Sequence, residues 1–295
     1  MKTERLVVII PTKNRRALLE RALGSALSQS YQNFRVVITN DGSTDDTQAY
    51  LDSLKDPRIR VIHHEKSRGV RAGYNNGLRS LREGEWGVPL DDDDIFLPGA
   101  LQTVADAVAQ APENVESLFF NTITQTPTEE FVGGYQFKEG ETVHDVTYEE
   151  LMAGKGGSFR GDSRVAYKWT LFPKYLYIED VNGLESEMDM LRARDGVGRR
   201  HVRKTITRVD FTDAVGEHLS HYAAKRDPAS FVRANARIFR DHEAFFAEHP
   251  RLAMQRAVGA IRIALRAFDP LHAAQFSFYY LRAATKLALG QGKET

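Results

Sequence analysis

Hydrophobic positions along this chain come first in short unbroken runs and later at helical spacing. Leu6-Val-Val-Ile-Ile10 is an apolar, largely β-branched run between Arg5 and Pro11. A run of that length without alternation predicts a strand buried on both faces. Pro11-Thr12-Lys13-Asn14 breaks it. Leu18, Leu19, Ala22, Leu23, Ala26 and Leu27 then recur on one face of a helix, with Asn14 as its candidate N-cap. Phe34–Thr39 predicts a second strand, Ile59–His63 a third and Glu85–Leu90 a fourth, with a helix near 70–82 before the last. Ser43 or Thr44 can cap the helix that follows the turn at Asn40–Asp46. Pro98 is placed to open a helix carrying Leu101, Val104, Ala105 and Val108. Alternation at this spacing predicts right-handed βαβ units, hence an α/β fold with a mostly parallel central sheet flanked by helices.

After residue 115 the rhythm changes. Ser117–Thr124 and Phe131–Phe137 read as strands with no helix between them, and the glycine-rich, basic stretch 150–175 yields no clear element. Leu184–Arg194 reads as a helix, and from about 228 the chain is helical. The pattern predicts an α/β domain over 1–220, in halves 1–115 and 116–220, followed by a helical C-terminal extension over 221–295.

The 295 residues are 42% hydrophobic and carry a formal net charge of zero, so no global field points to nucleic acid. The absence of cysteine excludes disulfides and thiolate metal sites and suits a reducing cytoplasm. No apolar run approaches the ~20 residues that cross a bilayer. Met1-Lys-Thr-Glu-Arg5 runs straight into the first strand without a signal segment. The expected location is therefore cytoplasmic.

Charge matters in two places. Asp91-Asp92-Asp93-Asp94 follows the fourth strand, and neighbouring carboxylates repel one another unless a cation lies between them. A hard divalent ion is the usual partner, since it accepts carboxylate and phosphate oxygens together. Open α/β sheets bind ligands at the carboxyl ends of their strands, where this block falls. In an extended segment Asp91 and Asp93 would share one side, and Asp92 and Asp94 the other. The second place is Arg251–Thr295, whose net charge is +5. There Phe268, Leu271, Phe276, Phe278, Tyr279, Tyr280 and Leu281 lie among arginines, which suits either an anionic membrane surface or packing onto the rest of the chain or a second copy.

Several motifs occur in order: Val8-Ile-Ile-Pro11-Thr12-Lys13-Asn14-Arg15, Leu27-Ser-Gln-Ser30-Tyr31-Gln-Asn33-Phe34, Asp41-Gly42-Ser43-Thr44-Asp45, and Gly77-Leu78 ahead of Leu90-Asp91-Asp92-Asp93-Asp94. Together they resemble family 2 glycosyltransferases over residues 5–105, with the likeness extending to about 220. The resemblance implies an A-type glycosyltransferase fold and inversion at the anomeric carbon. It also implies a UDP-, GDP- or TDP-sugar donor, a Mn²⁺ or Mg²⁺ ion, and a glycan or lipid-linked acceptor.

Carried over residue by residue, it assigns Pro11, Thr12 and Asn14 to the nucleotide loop and Asp41 to a base N–H. It gives Asp93 to the metal, with Asp91 as its partner in the Asp-x-Asp pair, and Asp91 or Asp92 to the ribose or a metal-bound water. Arg68 or Arg71 would reach the diphosphate or the acidic block. The catalytic base would stand at the start of a helix ending in arginine, which makes Glu185 and Glu187 the candidates, with Asp189 and Asp180 next. His218 or His221 could complete the metal site. The chain departs from the family pattern at four points: Lys13 where an aromatic is common, Asn40 before Asp41, Tyr74 in place of an arginine, and no Glu-Asp dipeptide within Gly183–Arg192. A nucleotidyltransferase and an inactive nucleotide-sugar-binding protein are the competing readings.

Overall fold

The structure, a computed structural model, describes residues 5–153, 159–179, 186–210 and 228–291. Packing divides the chain into two compact units, Met1–Glu179 with Asp195–Ala214, and Asp180–Arg194 with Val215–Thr295.

The first unit is built on an eleven-stranded sheet. Strands β1 (Arg5–Thr12), β2 (Phe34–Asn40), β3 (Ile59–His63) and β4 (Glu85–Pro89) stand in the order β3-β2-β1-β4, all parallel. Between them run α1 (Arg16–Leu27), α2 (Thr47–Ser53) and α3 (Val70–Arg79). Alternation along the strands assigns each face a helix layer. Leu6, Val8 and Ile10 join Leu19, Leu23 and Ala26 of α1 and Phe34, Val36 and Ile38 of β2 in one core. Val7 and Ile9 face the other way, where α3 lies very close: a Cβ on Gly77 would come within 2.2 Å of Ile9 Cγ2, and one on Gly73 within 2.6 Å of Pro11 Cβ. Only glycine permits that approach.

The rest of the sheet is mixed. β5 (Ile95–Phe96), β6 (Val115–Gln125), β7 (Glu130–Tyr135), β8 (Val143–Val146), β9 (Phe159–Arg160), β10 (Ser163–Lys168) and β11 (Gly198–Asp210) follow in sequence. β10 inserts antiparallel between β4 and β6, while β11 runs parallel to β6. The parallel expectation thus holds for the first four strands, and antiparallel pairing carries most of the remainder. The glycine- and basic-rich stretch contains β10, whose Arg164 and Val165–Tyr167 are buried.

Helix ends depart from expectation. The first helix is flanked by Arg15, and Asn14 sits before it at φ 55°, so Asn14 is not its cap. The second begins after Asp46, with Asp45 Oδ1 accepting from Thr47 N–H at 3.0 Å, so neither Ser43 nor Thr44 caps it. Pro98 precedes rather than opens α4 (Ala100–Gln110), because Gly99 turns the chain in the left-handed region. In the second unit are α6 (Ser186–Arg194), α7 (Pro228–Asp241), α8 (Glu243–Glu248), α9 (Pro250–Arg266) and α10 (Pro270–Ala288), with α5 (Tyr148–Met152) belonging to the first unit.

Candidate active site

The strand order reverses at β1, whose neighbours are β2 and β4. Crevices open at the carboxyl ends of strands on either side of such a switch point. Thr12 ends β1, and Leu90 and the four aspartates follow β4. The Thr12 hydroxyl donates to Asp92 Oδ2 at 2.7 Å and so ties the two strand ends together.

The aspartates do not continue the strand. Asp94 N–H donates to the Asp91 carbonyl at 3.2 Å, which closes a turn. The side chains of Asp91 and Asp93 are 43% and 16% exposed, against 8% and 4% for Asp92 and Asp94. Asp91 and Asp93 therefore do face outward, but through a turn rather than extended alternation. Each of two arginines spans one outer and one inner acid. Arg15 Nη1 lies 3.1 Å from Asp92 and 3.2 Å from Asp93. Buried Arg164, from β10, donates to Asp91 Oδ2 at 2.8 Å and to Asp94. The Tyr74 hydroxyl donates to the other oxygen of Asp91.

Electrostatics follow from that arrangement. Burial pushes Asp92 up to about 6, with Thr12 and Arg15 opposing the rise. Burial works against a charge on Asp91, yet Arg164 and the Tyr74 hydroxyl outweigh it and hold the group below the ordinary carboxylate range. Asp94 and Asp91 raise the Arg164 guanidinium against the effect of its own burial, so it stays charged. Burial and the Asp91 carboxylate raise the Tyr74 phenol, so it remains a donor.

The loop after β1 is held by the turn after β2. Asn14 N–H donates to Ser43 Oγ at 2.9 Å, and Asn14 Oδ1 accepts from Thr44 N–H at 2.7 Å. Pro11 is buried beneath Gly73.

Asp41 is buried, and both its oxygens are engaged by the segment after β3: Oδ1 by His64 Nδ1 and Arg68 N–H, Oδ2 by Ser67 Oγ and Gly69 N–H, all at 2.7–2.9 Å. Four donors fill what a carboxylate can accept. Asp41 thus clamps the 64–69 loop. Burial opposes the charge on Asp41, and these donors outweigh it and lower its pKa. His64 completes the clamp, its Nε2 meeting Asn76 Nδ2 at 2.7 Å.

Arg71 and Arg68 bond to the segment 178–179. Arg71 is buried and donates to the Ile178 carbonyl at 3.0 Å, and Arg68 pairs with Glu179 at 3.0 Å. Asn75 Nδ2 holds the Tyr177 carbonyl and Glu179. Residues spaced by four along α3 therefore fix segment 177–179. The arginines at the acidic turn are Arg15 and Arg164, a pairing across 77 and 70 residues that no local pattern signals.

Glu185, Asp180, His218 and His221 lie outside the described residues, as does the side chain of Glu187. Asp189 is buried beside Arg192 on α6, 3.4 Å from it.

The family model of glycosyl transferase family 2 matches residues 7–155. The chain belongs to that family. Among curated glycosyltransferases it is 30% identical over 190 residues to the GalNAc(5)-diNAcBac-PP-undecaprenol beta-1,3-glucosyltransferase of Campylobacter jejuni, a match covering 62% of this chain and 58% of that protein. It is 39% identical over 104 residues to WcaA of Escherichia coli, a putative colanic acid biosynthesis glycosyl transferase, covering 34% of this chain and 37% of that one. The chain thus spans a little over half the first relative's length and about a third of the second's. The fold is similar to that of S. aureus TarS 1–349 in complex with UDP-GlcNAc (TM-score 0.61, 17% identity, 97% of this chain and 92% of that one). It is also similar to the Pyrobaculum calidifontis mannosyltransferase PcManGT in complex with GDP-Man and Mn²⁺ (TM-score 0.56, 19% identity, 96% and 86%). These likenesses establish an A-type glycosyltransferase fold.

Within this family 2 site, the donor set fits a hard ion shared with a substrate. The acidic turn offers carboxylate oxygens only. Among the described residues no group of three or more His, Cys, Asp or Glu is placed to hold a metal on the protein alone. Mg²⁺-type ions commonly take one or two carboxylates and complete their shell with phosphate and water.

Proposed function

We propose that this chain transfers a sugar from a nucleoside-diphosphate donor to a hydroxyl of a glycan or lipid-linked acceptor, with inversion at the anomeric carbon. The observation that carries the reading is the acidic turn 91–94, presented beside Thr12 at the sheet's switch point. Residues 1–220 are assigned the transfer chemistry and 221–295 the role of an extension. The setting is the cytoplasm, at the inner face of the membrane. The C. jejuni relative's name specifies an undecaprenol-linked substrate, which supports the lipid-linked acceptor.

Thr12, Pro11 and Asn14 border the nucleotide in this reading, and Asp92 lies toward the ribose. Asp93, with Asp91, would hold Mn²⁺ or Mg²⁺. When bound, such an ion supplies Lewis-acid neutralisation of the leaving diphosphate. Arg164 and Tyr74 fix the orientation of Asp91, and Arg15 adds positive charge at the same edge. Glu185 or Glu187 takes the proton from the acceptor hydroxyl as it attacks in line, which inverts the carbon. A nucleotidyltransferase is less well supported, since Pro11-Thr12-Lys13-Asn14 is not the glycine-rich phosphate loop that such chemistry uses.

The test is release of nucleoside diphosphate from UDP-, GDP- and TDP-sugars with Mn²⁺, with and without a lipid-linked glycan. Acceptor-dependent release is expected with one base, and Glu185→Gln or Glu187→Gln should lower kcat by about 10²-fold with donor affinity unchanged. Formation of a nucleotide sugar from a sugar phosphate, or no release with any donor, would overturn the reading.

A further inference from the structure

Helices α9 and α10 form a pair whose buried residues are mostly small: Ala253, Ala257, Ala260 and Ala264 on one, Ala273, Phe276 and Ala283 on the other. Phe276 is the large side chain buried among them, while five other large apolar side chains point outward. Phe268 is 94% exposed, Leu271 81%, and Leu265, Phe278 and Leu281 about 60%. Leu271 and Phe278 are seven residues apart and lie on one line of α10, with Leu281 next to it. Isolated exposed apolar residues are ordinary, whereas five within seventeen residues of one helix pair mark a candidate interaction surface.

The connection between the helices carries a second signal. Phe268 N–H donates to the Leu265 carbonyl and Asp269 N–H to the Ala264 carbonyl. That is the double bond pattern closing a helix with a left-handed residue, normally glycine. The end of α10 uses the same pattern with Gly290 at φ 66°. At the end of α9 the residue is Phe268, at φ 54°. A bulky side chain costs free energy in that conformation, and Phe268, 94% exposed, gains little from packing among the described residues to offset it.

Near the tip two exposed arginines stand against one carboxylate, Asp269. Arg262 and Arg266 are exposed on α9 beside Leu265 and have no ion pair among the described residues. Arg282 of α10 pairs with Glu243. Asp269 is occupied by His272, capping α10. A second copy docked face to face would set these arginines against each other. An anionic lipid surface accepts both the apolar side chains and the arginines. Among the described residues no helix is long and apolar enough to cross a membrane, so contact would be with the surface.

We infer that the α9–α10 tip, led by Phe268 and Leu271 and flanked by Arg262 and Arg266, docks on an anionic membrane surface. The side chains of Phe268 and Leu271 enter the headgroup boundary while the arginines meet lipid phosphates.

The test is co-sedimentation of the full chain with phosphatidylglycerol/phosphatidylcholine vesicles and with pure phosphatidylcholine vesicles, at low and physiological salt. Binding to anionic vesicles, weakened by salt, is expected. Phe268→Gly with Leu271→Ser should lower partitioning at least tenfold without lowering Tm, because glycine suits the left-handed position and Leu271 is exposed. Arg262→Gln and Arg266→Gln should each lower it roughly fivefold at low salt. Failure to bind anionic vesicles at low salt would overturn the inference, as would binding that survives Phe268→Gly/Leu271→Ser. A concentration-dependent dimer lost in that double variant, without vesicle binding, would assign the face to a second copy. The assay contains neither donor nor acceptor, so its outcome is separate from that of the transfer reaction.

Discussion

In the sheet, Leu6, Val8 and Ile10 turn to one helix layer and Val7 and Ile9 to the other, and none of the five is exposed. In the C-terminal helix pair the buried positions are chiefly alanines with Phe276, and Leu265, Phe268, Leu271, Phe278 and Leu281 face out. Burying a large aliphatic side chain contributes about 1.5–3 kcal/mol, and a methyl group far less. The parallel strands therefore use their apolar side chains for folding, while much of that in α9 and α10 is left for something else. The same contrast holds for charge. Arg164 is buried between Asp91 and Asp94, whereas Arg266 stands in water.

The largest expected effect probes that charge contrast. Arg164→Leu should cost about 3–5 kcal/mol in urea denaturation, because it removes the buried cation that Asp91 and Asp94 share. Arg164→Lys should recover part of this, since a single ammonium cannot span both acids as the guanidinium does. Arg266→Gln should change stability by less than about 0.5 kcal/mol. Comparable losses for Arg164→Leu and Arg266→Gln would erase the distinction.

Packing gives the next effect. Gly77→Ala forces a methyl into Ile9 and should cost about 1–3 kcal/mol by overpacking, read from the same denaturation curves.

Asp41→Asn tests the loop clamp. Folding lowers the Asp41 pKa, so its contribution is fully present above the unfolded value of about 4 and disappears as pH falls through the folded value. The variant should lose about 1–2 kcal/mol at pH 7 and show a flatter acid limb below pH 4 in thermal melts. An unchanged acid limb would remove Asp41 from the clamp.

The smallest effect has the opposite sign. Gly259 lies within α9, and a Cβ there meets nothing within 4 Å. Gly259→Ala should stabilise the helix by about 0.5–1 kcal/mol.

The difference between the two regions also explains what could be read in advance. Leu6–Ile10 announced a buried strand because burial on both faces leaves no polar position. The site's supports were illegible for a different reason. Arg15 and Arg164 meet their aspartates only because β1, β4 and β10 lie side by side, and strand adjacency is not written in local spacing. Asp91–Asp94 was read as extended, but a single backbone bond from Asp94 to Asp91 bends it into a turn. The bond from Arg71, one turn before Asn75 on α3, to the Ile178 carbonyl likewise joins residues far apart in sequence. In α9 and α10 the helical period was clear, but the period alone did not tell which face would be buried, because alanines can pack as closely as leucines.

The central claim is that the acidic turn binds the donor diphosphate together with a divalent ion. Isothermal titration of UDP, GDP and TDP, with and without Mn²⁺, into the parent chain and Asp93→Ala tests it most directly. The account predicts one nucleotide bound at least tenfold more tightly with Mn²⁺, and loss of that gain in Asp93→Ala at unchanged Tm. A Mn²⁺-dependent gain of the same size in both proteins would contradict it.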